Sequence, residues 1–297
     1  TNRDQRGSEF RAVVQLGDDP GVYADVYKYL DDRQQWFINP YLTSQRRDLL
    51  AYDDDGNAVA NVRVTDYGGG LNIGREFNRS AVLDLGVRRF GGDAKTTIGP
   101  PGLRDNFDAG EWTATATWDR LDDLFLPTLG SRARLQYIRS EEWLGADTEF
   151  EQLLFNGFTN KTWGRQNAQL FMRYNVTLDG DAPIYALFTG GGFLNMSGFE
   201  PNALVGPNFG VVGAGYRNEV IQSGFLPGYV GGTVEYGNAA ADRSDVFSEG
   251  ILNGSVYFAY DTPIGPLYLG WGWNTDSRGV LFLSLGANFG TEDLGAR

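Results

Sequence analysis

Hydrophobic and polar residues alternate with a period of two in several parts of the chain. In residues 112–118, two tryptophans and two alanines fall on one face, and three threonines fall on the other. The same alternation recurs in residues 168–176, 267–273 and 280–289. Because the side chains of a β-strand point alternately to its two faces, this pattern predicts strands with one apolar and one polar face.

The polar face separates two classes of all-β protein. A soluble sandwich also alternates, with its apolar face turned to the core. Here the polar face carries Gly, Ser, Asn, Gln and Arg, and the apolar face repeatedly begins or ends in an aromatic residue, as in a lipid-facing band between two aromatic girdles. We therefore predict a transmembrane antiparallel β-barrel, with a soluble all-β binding protein as the alternative. The predicted girdle residues are Trp112, Trp118, Tyr137, Trp271, Trp273 and Phe289.

The same reading divides the chain into about 16 strands. They lie near residues 9–17, 21–30, 33–42, 46–53, 58–66, 69–77, 80–90, 111–119, 131–142, 147–157, 166–177, 209–218, 228–237, 251–261, 265–274 and 279–289. Turn residues separate them at 17–21, 55–57, 66–68 and 263–266. Pro40 is an exception to the rule that prolines avoid strand interiors. Longer connections are predicted near 91–110 and 178–208, both on the outer side if the chain starts in the periplasm.

Composition removes several classes of function. The chain has 297 residues, 14% aromatic residues, no cysteine and no histidine. These absences exclude thiolate and histidine metal sites and the Ser-His-Asp and Cys-His catalytic arrangements. A net charge of −13 argues against nucleic-acid binding, which needs a basic surface. The sequence has neither a signal-like segment nor a run of about 18 apolar residues, so a helical membrane protein is also excluded.

A turn between two predicted strands resembles a known motif. Residues 122–132 read DDLFLPTLGSR. This resembles the D-x-x-x-F-P-T-x-G-S-R hairpin of the outer-membrane superfamily of BamA, TamA and the two-partner-secretion transporters, whose members combine POTRA domains with a barrel. The motif residues that we assign to this turn are Asp123, Phe125, Pro127 and Gly130.

The long connection after residue 177 resembles the sixth extracellular loop of the same superfamily. Residues 183–192 end in three glycines, and Ser-Gly-Phe follows at 197–199. Residues 261–267 resemble the penultimate hairpin of the family, and the run that ends at Phe289 resembles its closing strand. Five predicted strands follow the loop, as the resemblance requires. The loop motif residues are Gly190, Gly191, Gly192, Ser197, Gly198 and Phe199.

One position departs from the family pattern. The family has an arginine in this loop that pairs with acidic residues of the barrel wall, whereas this chain has Ser197. Since a hydroxyl does not form that charge-assisted contact, we expect neither a locked loop nor the insertase or transporter activity associated with it. A Gly-Phe loop without the arginine is most similar to the barrels of patatin-like, type Vd autotransporters.

This resemblance implies an organisation and a function. Residues 1–8 would be the linker from a POTRA domain, residues 9–289 the barrel and residues 290–297 a C-terminal tail. The barrel would anchor and translocate a lipase-like passenger in the bacterial outer membrane. Its first and last strands would pair, and the loop would partly fill or cap the lumen. The alternative is an open pore or polypeptide transporter.

The implied partners are outer-membrane lipids and lipopolysaccharide, the protein's own passenger and POTRA domain, and the barrel assembly machinery. A weak seam between the first and last strands would also leave an edge for a homodimer. We expect no nucleic-acid partner, no cofactor, no metal and no catalysis by this chain.

Three groups of polar residues have two interpretations each. Residues 53–57 resemble part of a calcium loop, but the full pattern is missing and a hairpin turn is favoured. The acidic residues at 141–142 and at 149 and 151 match a glycosidase pair, but their hairpin position favours solvated rim charges. Ser197 lacks a G-x-S-x-G context and a histidine to activate it, so it is not expected to be a nucleophile.

Arginines at predicted lumenal positions also have two readings. They either line a path for anions or pair with carboxylates of the wall, which we favour; Asp119 and Asp84 are the candidate carboxylates. The arginines are Arg63, Arg132, Arg134 and Arg173.

Overall fold

The computed structural model describes residues 8–17, 19–52, 58–78, 80–99, 104–123, 125–222, 226–263, 265–275 and 279–286. Its strands are β1 (Glu9–Gln15), β2 (Gly21–Tyr29), β3 (Trp36–Tyr52), β4 (Ala58–Phe77), β5 (Ala81–Ile98), β6 (Arg104–Asp119), β7 (Gly130–Ser140), β8 (Phe150–Trp163), β9 (Gln166–Gly180), β10 (Phe188–Gly190), β11 (Leu204–Gly206), β12 (Asn208–Ile221), β13 (Gly228–Ala240), β14 (Ile251–Thr262), β15 (Gly265–Asn274) and β16 (Val280–Leu285). Short helical turns lie at Glu142–Leu144, Ile184–Ala186 and Asp245–Ser248. No helix in the described ranges is long and apolar enough to cross a membrane.

Fourteen of the described strands form one antiparallel sheet in which each strand pairs with its neighbours in the chain, except that β9 pairs with β12. The remaining two, β10 and β11, pair with each other in the connection between β9 and β12. The predicted all-β, antiparallel fold of about 16 strands is confirmed, with the strands divided differently. β1 and β16 are the edges of the large sheet, so the predicted pairing of first and last strands is not formed within the described residues.

Two predicted pairs of strands are single long strands. β3 continues through the expected break at 43–45, and β4 continues through the expected turn at 66–68. The register across this region is unbroken, with Gln45 opposite Asp66 and Thr43 opposite Gly68. The glycine at position 68 allows β4 and β5 to pack closely, because a Cβ at Gly68 would lie 2.3 Å from the carbonyl oxygen of Arg89. The predicted turn at 66–68 is therefore wrong.

The predicted long connection at 91–110 is also mostly strand. β5 extends to Ile98 and β6 begins at Arg104, and their register runs from Ala81 opposite Trp118 to Lys95 opposite Arg104. Polar and glycine residues in this stretch suggested a loop, but strand pairing beyond the apolar band satisfies their backbone groups equally well. The turn predicted at 55–57 lies outside the described residues.

Pro40 lies inside β3, where it removes a backbone donor. The pairing between β2 and β3 is interrupted there, between Asp25 opposite Tyr41 and Lys28 opposite Ile38. The side-chain amide of Asn39 donates to the carbonyl oxygen of Val26 at 3.2 Å within this gap. A side chain thus supplies a hydrogen bond where the proline interrupts the ladder.

The two faces of the sheet have opposite character. One face is lined by buried polar and aromatic side chains, whereas the other exposes large apolar ones, such as Leu281 at 79% and Leu283 at 71%. Burying a leucine is worth roughly 1.5–3 kcal/mol, so a continuous apolar outer face is expected to be covered by lipid.

The buried face encloses a chain segment. The segment between β9 and β12, residues 181–207, contacts strands far apart in the sheet. Tyr185 packs against Phe107 of β6 and Phe150 of β8, while Ser197 contacts Glu235 of β13. The sheet therefore curves around this segment as a barrel, and the hydrophobic clusters lie in its interior.

Candidate functional site

The segment 181–207, here called the interior loop, is the candidate functional site. Its two short strands pair with Phe188 opposite Gly206 and Gly190 opposite Leu204, so the segment 191–203 forms the tip of a hairpin. This tip contains the predicted loop motif. The contacts of the tip with the barrel wall decide whether the lumen is filled.

The tip is fixed to the wall through a buried carboxylate. The backbone N–H groups of Met196 and Ser197 donate to one oxygen of Glu235, at 2.7 and 2.8 Å. The Ser197 hydroxyl donates to the other oxygen, which also accepts from Thr233 at 2.7 Å. Glu235 and Ser197 are both 0% exposed. Four donors therefore surround one carboxylate, which compensates for its removal from water.

The expectation that Ser197 prevents a locked loop is wrong. A charged side chain on the loop is not required, because a serine hydroxyl and two backbone N–H groups together supply the donors that an arginine would supply.

Glycines allow the tip to reach the wall. A Cβ at Gly198 would lie 2.4 Å from the backbone carbonyl of Trp273, and a Cβ at Gly272 would lie 1.8 Å from the carbonyl oxygen of Ser197. Gly198 also donates its N–H to Asn253 at 3.2 Å and accepts from the Asn274 amide at 2.8 Å. Any larger residue at Gly198 would separate the loop from β15.

The other motif glycines shape the hairpin tip. Gly191 and Gly192 have φ of +113° and +89°, a backbone conformation that favours glycine. A Cβ at Gly190 would lie 2.2 Å from the Phe209 ring. All three glycines are therefore required by the fold of the loop and its contact with β12.

An aromatic cluster secures the same part of the loop. Phe193 stacks on Phe282 of β16 with 4.7 Å between ring centroids, and lies 5.0 Å from Tyr257 and 4.9 Å from Tyr268. Phe199 of the motif packs against the same hydrophobic cluster. The loop thus has an apolar contact with strands β14 to β16 beside its polar contact with β13.

The start of the interior loop is attached to the opposite wall. The Tyr185 ring stacks on Phe107 at 4.3 Å and meets Phe90 edge to face at 5.7 Å. Arg47 donates to the Tyr185 carbonyl oxygen, and Gln152 donates to that of Ala186 at 2.9 Å. The loop therefore bridges both halves of the barrel.

The structure places the predicted lumenal charges as follows. Arg173 donates to Asn156 and to Asn195 of the loop, each at 2.8 Å. Arg132 forms an ion pair with Asp119 at 3.7 Å. Arg134 lies on the same face of β7, within electrostatic reach of Asp84. Arg132 and Arg134 thus lie near the wall carboxylates named as their partners, whereas the contacts given for Arg173 are with amide side chains.

Arg63 is the exception. It alternates with Val62 and Val64, which pack against the interior cluster of Tyr185, so its side chain points outward. There it pairs with Asp48 at 2.9 Å. The prediction that Arg63 lines the lumen is wrong, because the apolar face of Val62 and Val64 turns to the interior cluster and the polar face of this part of the strand lies outside.

The turn motif folds inward beneath the interior loop. Asp122 accepts from the backbone N–H groups of Thr128 and Leu129, at 2.9 and 3.0 Å, and also from the Thr128 hydroxyl. Asp123 accepts from Phe125 and Leu126, both at 2.8 Å. These hydrogen bonds close the turn at both of its ends.

The apolar residue that enters the barrel from this turn is Leu126. Leu126 is 6% exposed and belongs to the cluster of Phe193, whereas Phe125 is 49% exposed. Arg217 of β12 donates to the Pro127 carbonyl oxygen at 2.6 Å and holds the turn in place. Gly130 has φ of +109°, and its ideal Cβ would meet the Arg120 carbonyl oxygen at 2.0 Å.

The predicted girdle residues lie on the outer face where the structure describes them. Trp118 is exposed on the outer face of β6, and Trp112 contacts Tyr137 of β7 at 5.1 Å. Trp271 and Trp273 stack at 5.3 Å on the outer face of β15. Phe289 lies outside the described residues.

Two of the acidic residues of the hairpin at 141–151, Glu141 and Glu151, form ion pairs with one arginine. Arg139 lies 2.5 Å from Glu141 and 3.0 Å from Glu151. Within the described ranges no three acidic side chains are grouped to hold a metal ion, and residues 53–57 lie outside them. The arrangement is that of rim charges joined by an arginine.

Sequence analysis missed the residues of the wall that hold the loop. Glu235 is the clearest case, with Asn253, Asn274 and Arg217. A signal was available, since Glu235 follows Thr233 on the polar face of an alternating strand, and a carboxylate on a lumenal face needs a partner. Its partner lies 38 residues earlier in the chain, which local periodicity does not reveal.

The match to a family model agrees with this geometry. Residues 21–293 match the model described as the Omp85 superfamily domain. The chain belongs to the Omp85 superfamily. An Omp85 barrel is integral to the bacterial outer membrane, so the predicted location is confirmed.

Solved structures show the same fold at low sequence identity. The crystal structure of BamA from Haemophilus ducreyi lacking POTRA domains 1–3 has a TM-score of 0.72 and 12% identity, covering 94% of this chain and 64% of that one. CdiB from Escherichia coli has a TM-score of 0.58 and 11% identity, covering 91% and 53%. CdiB from Acinetobacter baumannii has a TM-score of 0.51 and 10% identity, covering 95% and 48%.

This Omp85 barrel therefore spans less than two thirds of the length of each of these structures. Identities of 10–12% show the shared fold alone. No curated protein sequence matches the chain.

Proposed function

We propose that this Omp85 barrel is the membrane anchor and translocator domain of a larger secreted-passenger protein, with its lumen filled at rest. The observation that carries this proposal is the interior loop, which reaches from Tyr185 on one wall to Ser197 on the other. A loop attached at both ends leaves little room for free passage of solutes.

The passenger that we propose is patatin-like, as in type Vd autotransporters. The support is the Ser-Gly-Phe at 197–199, which resembles that branch in lacking the loop arginine. A POTRA domain and a lipase-like passenger preceding residue 1 are part of this proposal, as are the barrel assembly machinery, lipopolysaccharide and a homodimer as partners. Lipid hydrolysis would then belong to the passenger and not to this chain.

The alternative is an open conduit for solutes or polypeptides. Arg132, Arg134 and Arg173 on the lumenal face favour it, because a row of cations would attract anions. Their contacts with Asp119, the wall near Asp84 and the loop reduce this attraction. The two proposals differ in the conductance that they predict.

Planar-bilayer recording separates the two. A matched variant replaces residues 191–203 with Asn-Gly, which closes the β10–β11 hairpin with a two-residue turn and removes the loop tip. We expect little conductance from the unmodified barrel and stable channels from the variant. Equally high conductance of both would reject the filled lumen and favour the open conduit, and equally low conductance of both would reject the loop tip as the element that fills it.

The passenger is tested with the full-length gene product. We expect phospholipase turnover from the full-length protein and none from residues 1–297, measured with the same lipid substrate. Turnover by residues 1–297 alone would contradict the assignment of catalysis to a passenger. A full-length protein without lipase activity would contradict the patatin-like type while leaving the anchoring proposal to the conductance test.

A further inference from the structure

The outer face of the barrel carries two arginines stacked on aromatic rings near its short turns. The guanidinium carbon of Arg75 on β4 lies 5.5 Å from the ring centroid of Trp36 and 4.9 Å from that of Phe77. The guanidinium carbon of Arg120 lies 4.6 Å from the Trp118 ring. Trp36, Phe77 and Trp118 are all exposed on the outer face.

The two arginines belong to one continuous patch. Trp36 is directly opposite Arg75 in the β3–β4 pairing, and Phe77 is opposite Ala81, which is opposite Trp118. Neighbouring strands lie about 4.8 Å apart, so the two cations face the same part of the membrane. We call Trp36, Arg75, Phe77, Trp118 and Arg120 the arginine–aromatic patch.

Neither cation of this patch is neutralised by a carboxylate. Within the described part of the chain, Arg75 and Arg120 form no ion pair. Arg75 donates one hydrogen bond, to the Gln35 side chain at 3.2 Å, and its Nε is buried without a partner. An unpaired guanidinium on a lipid-facing surface needs an anion.

The carboxylates nearby point elsewhere. Glu76, next to Arg75 in the strand, accepts from the hydroxyls of Tyr27 and Tyr29 on the lumenal face. Asp119 pairs with Arg132 on the lumenal face. Asp31 accepts from the backbone of its own turn, from Gln35 and Trp36. These nearby acids therefore lie inward or in a turn, whereas Arg75 and Arg120 face the lipid.

From this arrangement we propose that the arginine–aromatic patch binds the phosphate of a glycerophospholipid in the leaflet beside the short turns. The planar guanidinium groups donate to the phosphate oxygens, while the aromatic rings hold the guanidinium planes and contact the first part of the acyl chains. In outer-membrane barrels the short turns face the periplasm, so this leaflet is the inner one.

The patch would fix the depth and rotation of the barrel in the membrane. A cation at the edge of the apolar band is favourable only when the phosphate layer meets it. The filled lumen and the passenger are not involved, so this inference is independent of the proposed function.

The test uses the purified barrel in detergent and native mass spectrometry of bound lipid. The probe is phosphatidylglycerol, and the comparison lipid is a diacylglycerol of the same chains, which lacks the phosphate. We expect binding of phosphatidylglycerol to fall roughly tenfold in the Arg75→Gln/Arg120→Gln double variant, because charge-assisted contacts are removed. The matched control is Arg33→Gln, an exposed arginine of the β2–β3 turn, which we expect to bind within about twofold of the unmodified barrel.

The outcomes are decisive in both directions. Equal binding of diacylglycerol, or unchanged binding by the double variant, would overturn the proposal. Displacement of phosphatidylglycerol by an equal concentration of inorganic phosphate would show a site for soluble phosphate and overturn the lipid as ligand. If the double variant does not fold, as judged by heat-modifiable migration, Arg75→Lys replaces it. That variant keeps the positive charge but loses the planar guanidinium group. Unchanged binding of phosphatidylglycerol by it would again contradict the proposal.

Discussion

At the scale of single residues, the interior loop is held by a carboxylate that distant residues satisfy. Glu235 accepts from two backbone N–H groups and two hydroxyls, of which the loop contributes three donors. The role assigned to an arginine in related loops is thus filled by a serine with its backbone. A substitution of Glu235 or of Ser197 is expected to destabilise the barrel, because both side chains are buried.

We expect Glu235→Gln to release the loop tip. The amide keeps one acceptor but replaces the other with a donor that faces the donors of the loop, so the barrel should lose about 2 kcal/mol of stability. The readout is the temperature at which the heat-modifiable band unfolds, together with proteolysis within 191–203. Glu249→Gln, at an exposed residue, is the control with the same charge change, and equal behaviour of both variants would contradict the role of Glu235.

Gly198→Ala should also destabilise the loop contact. The added methyl group would meet the Trp273 carbonyl, which belongs to a paired strand and does not move freely. We expect a loss of about 1–3 kcal/mol, as for other overpacked sites. Gly215→Ala is the matched control, because its Cβ would have ordinary contacts of 3.6 Å or more. A smaller loss at Gly198 than at Gly215 would be the contrary result.

At the scale of elements, the turn between β6 and β7 packs against the interior loop through Leu126. Burial raises the pKa of Asp122. Hydrogen bonds from the Thr128 side chain and from the backbone of Leu129 and Thr128 lower it by more, so the net pKa is below its usual value. Leu126 and the Arg217–Pro127 contact then fix the turn against the interior. The turn therefore packs against the same interior cluster as the tip of the interior loop.

The Asp122→Asn variant should show this contribution through pH. A carboxylate with a lowered pKa stabilises the folded state at pH values above its unfolded pKa, and the stabilisation is lost as the pH falls through the folded value. At pH 7 we expect the unmodified barrel to unfold at a higher temperature than the variant. The difference should shrink as the pH falls below about 4. This role of Asp122 would be disproved if the difference in unfolding temperature stayed constant at acidic pH. It would also be disproved if Asp181→Asn lowered the unfolding temperature by the same amount.

The alternating sequence pattern predicts the central parts of the strands better than their ends. Trp112–Trp118 and 267–273 alternate strictly, and both lie in strands with their tryptophans on the outer face. The ends of β3 to β6 extend beyond the apolar band, where the alternating pattern fades. Polar residues and glycines there look like turns in the sequence, although pairing with a neighbouring strand keeps them extended.

At the scale of the whole molecule, the barrel presents an apolar outer face and encloses the interior loop, which contacts the wall on both sides. We expect folding to depend on the membrane, because large leucines, valines and tryptophans of the outer face are exposed in the described chain. The sheet is continuous from β1 to β16. Its stability therefore depends on the solvent that covers the outer face.

Refolding of the purified chain tests this dependence. We expect compact β structure and heat-modifiable migration only when detergent or lipid is present, because burying each exposed leucine contributes roughly 1.5–3 kcal/mol. Far-ultraviolet circular dichroism and cold gel electrophoresis provide the readout, with a boiled sample as control. A folded monomer in plain buffer would be incompatible with the lipid-covered barrel.

The sequence by itself determined what depends on near neighbours. The period of two, the aromatic ends of strands and the turn residues fixed an all-β membrane barrel, and the motifs at 122–132 and 183–199 indicated its superfamily. Only the tertiary structure decided which side chains meet. Glu235 holds Ser197, Leu126 lies in the interior cluster, and Arg63 points outward. The physical reason is that strand alternation is a local property, whereas register and loop docking depend on pairing between residues far apart in the chain.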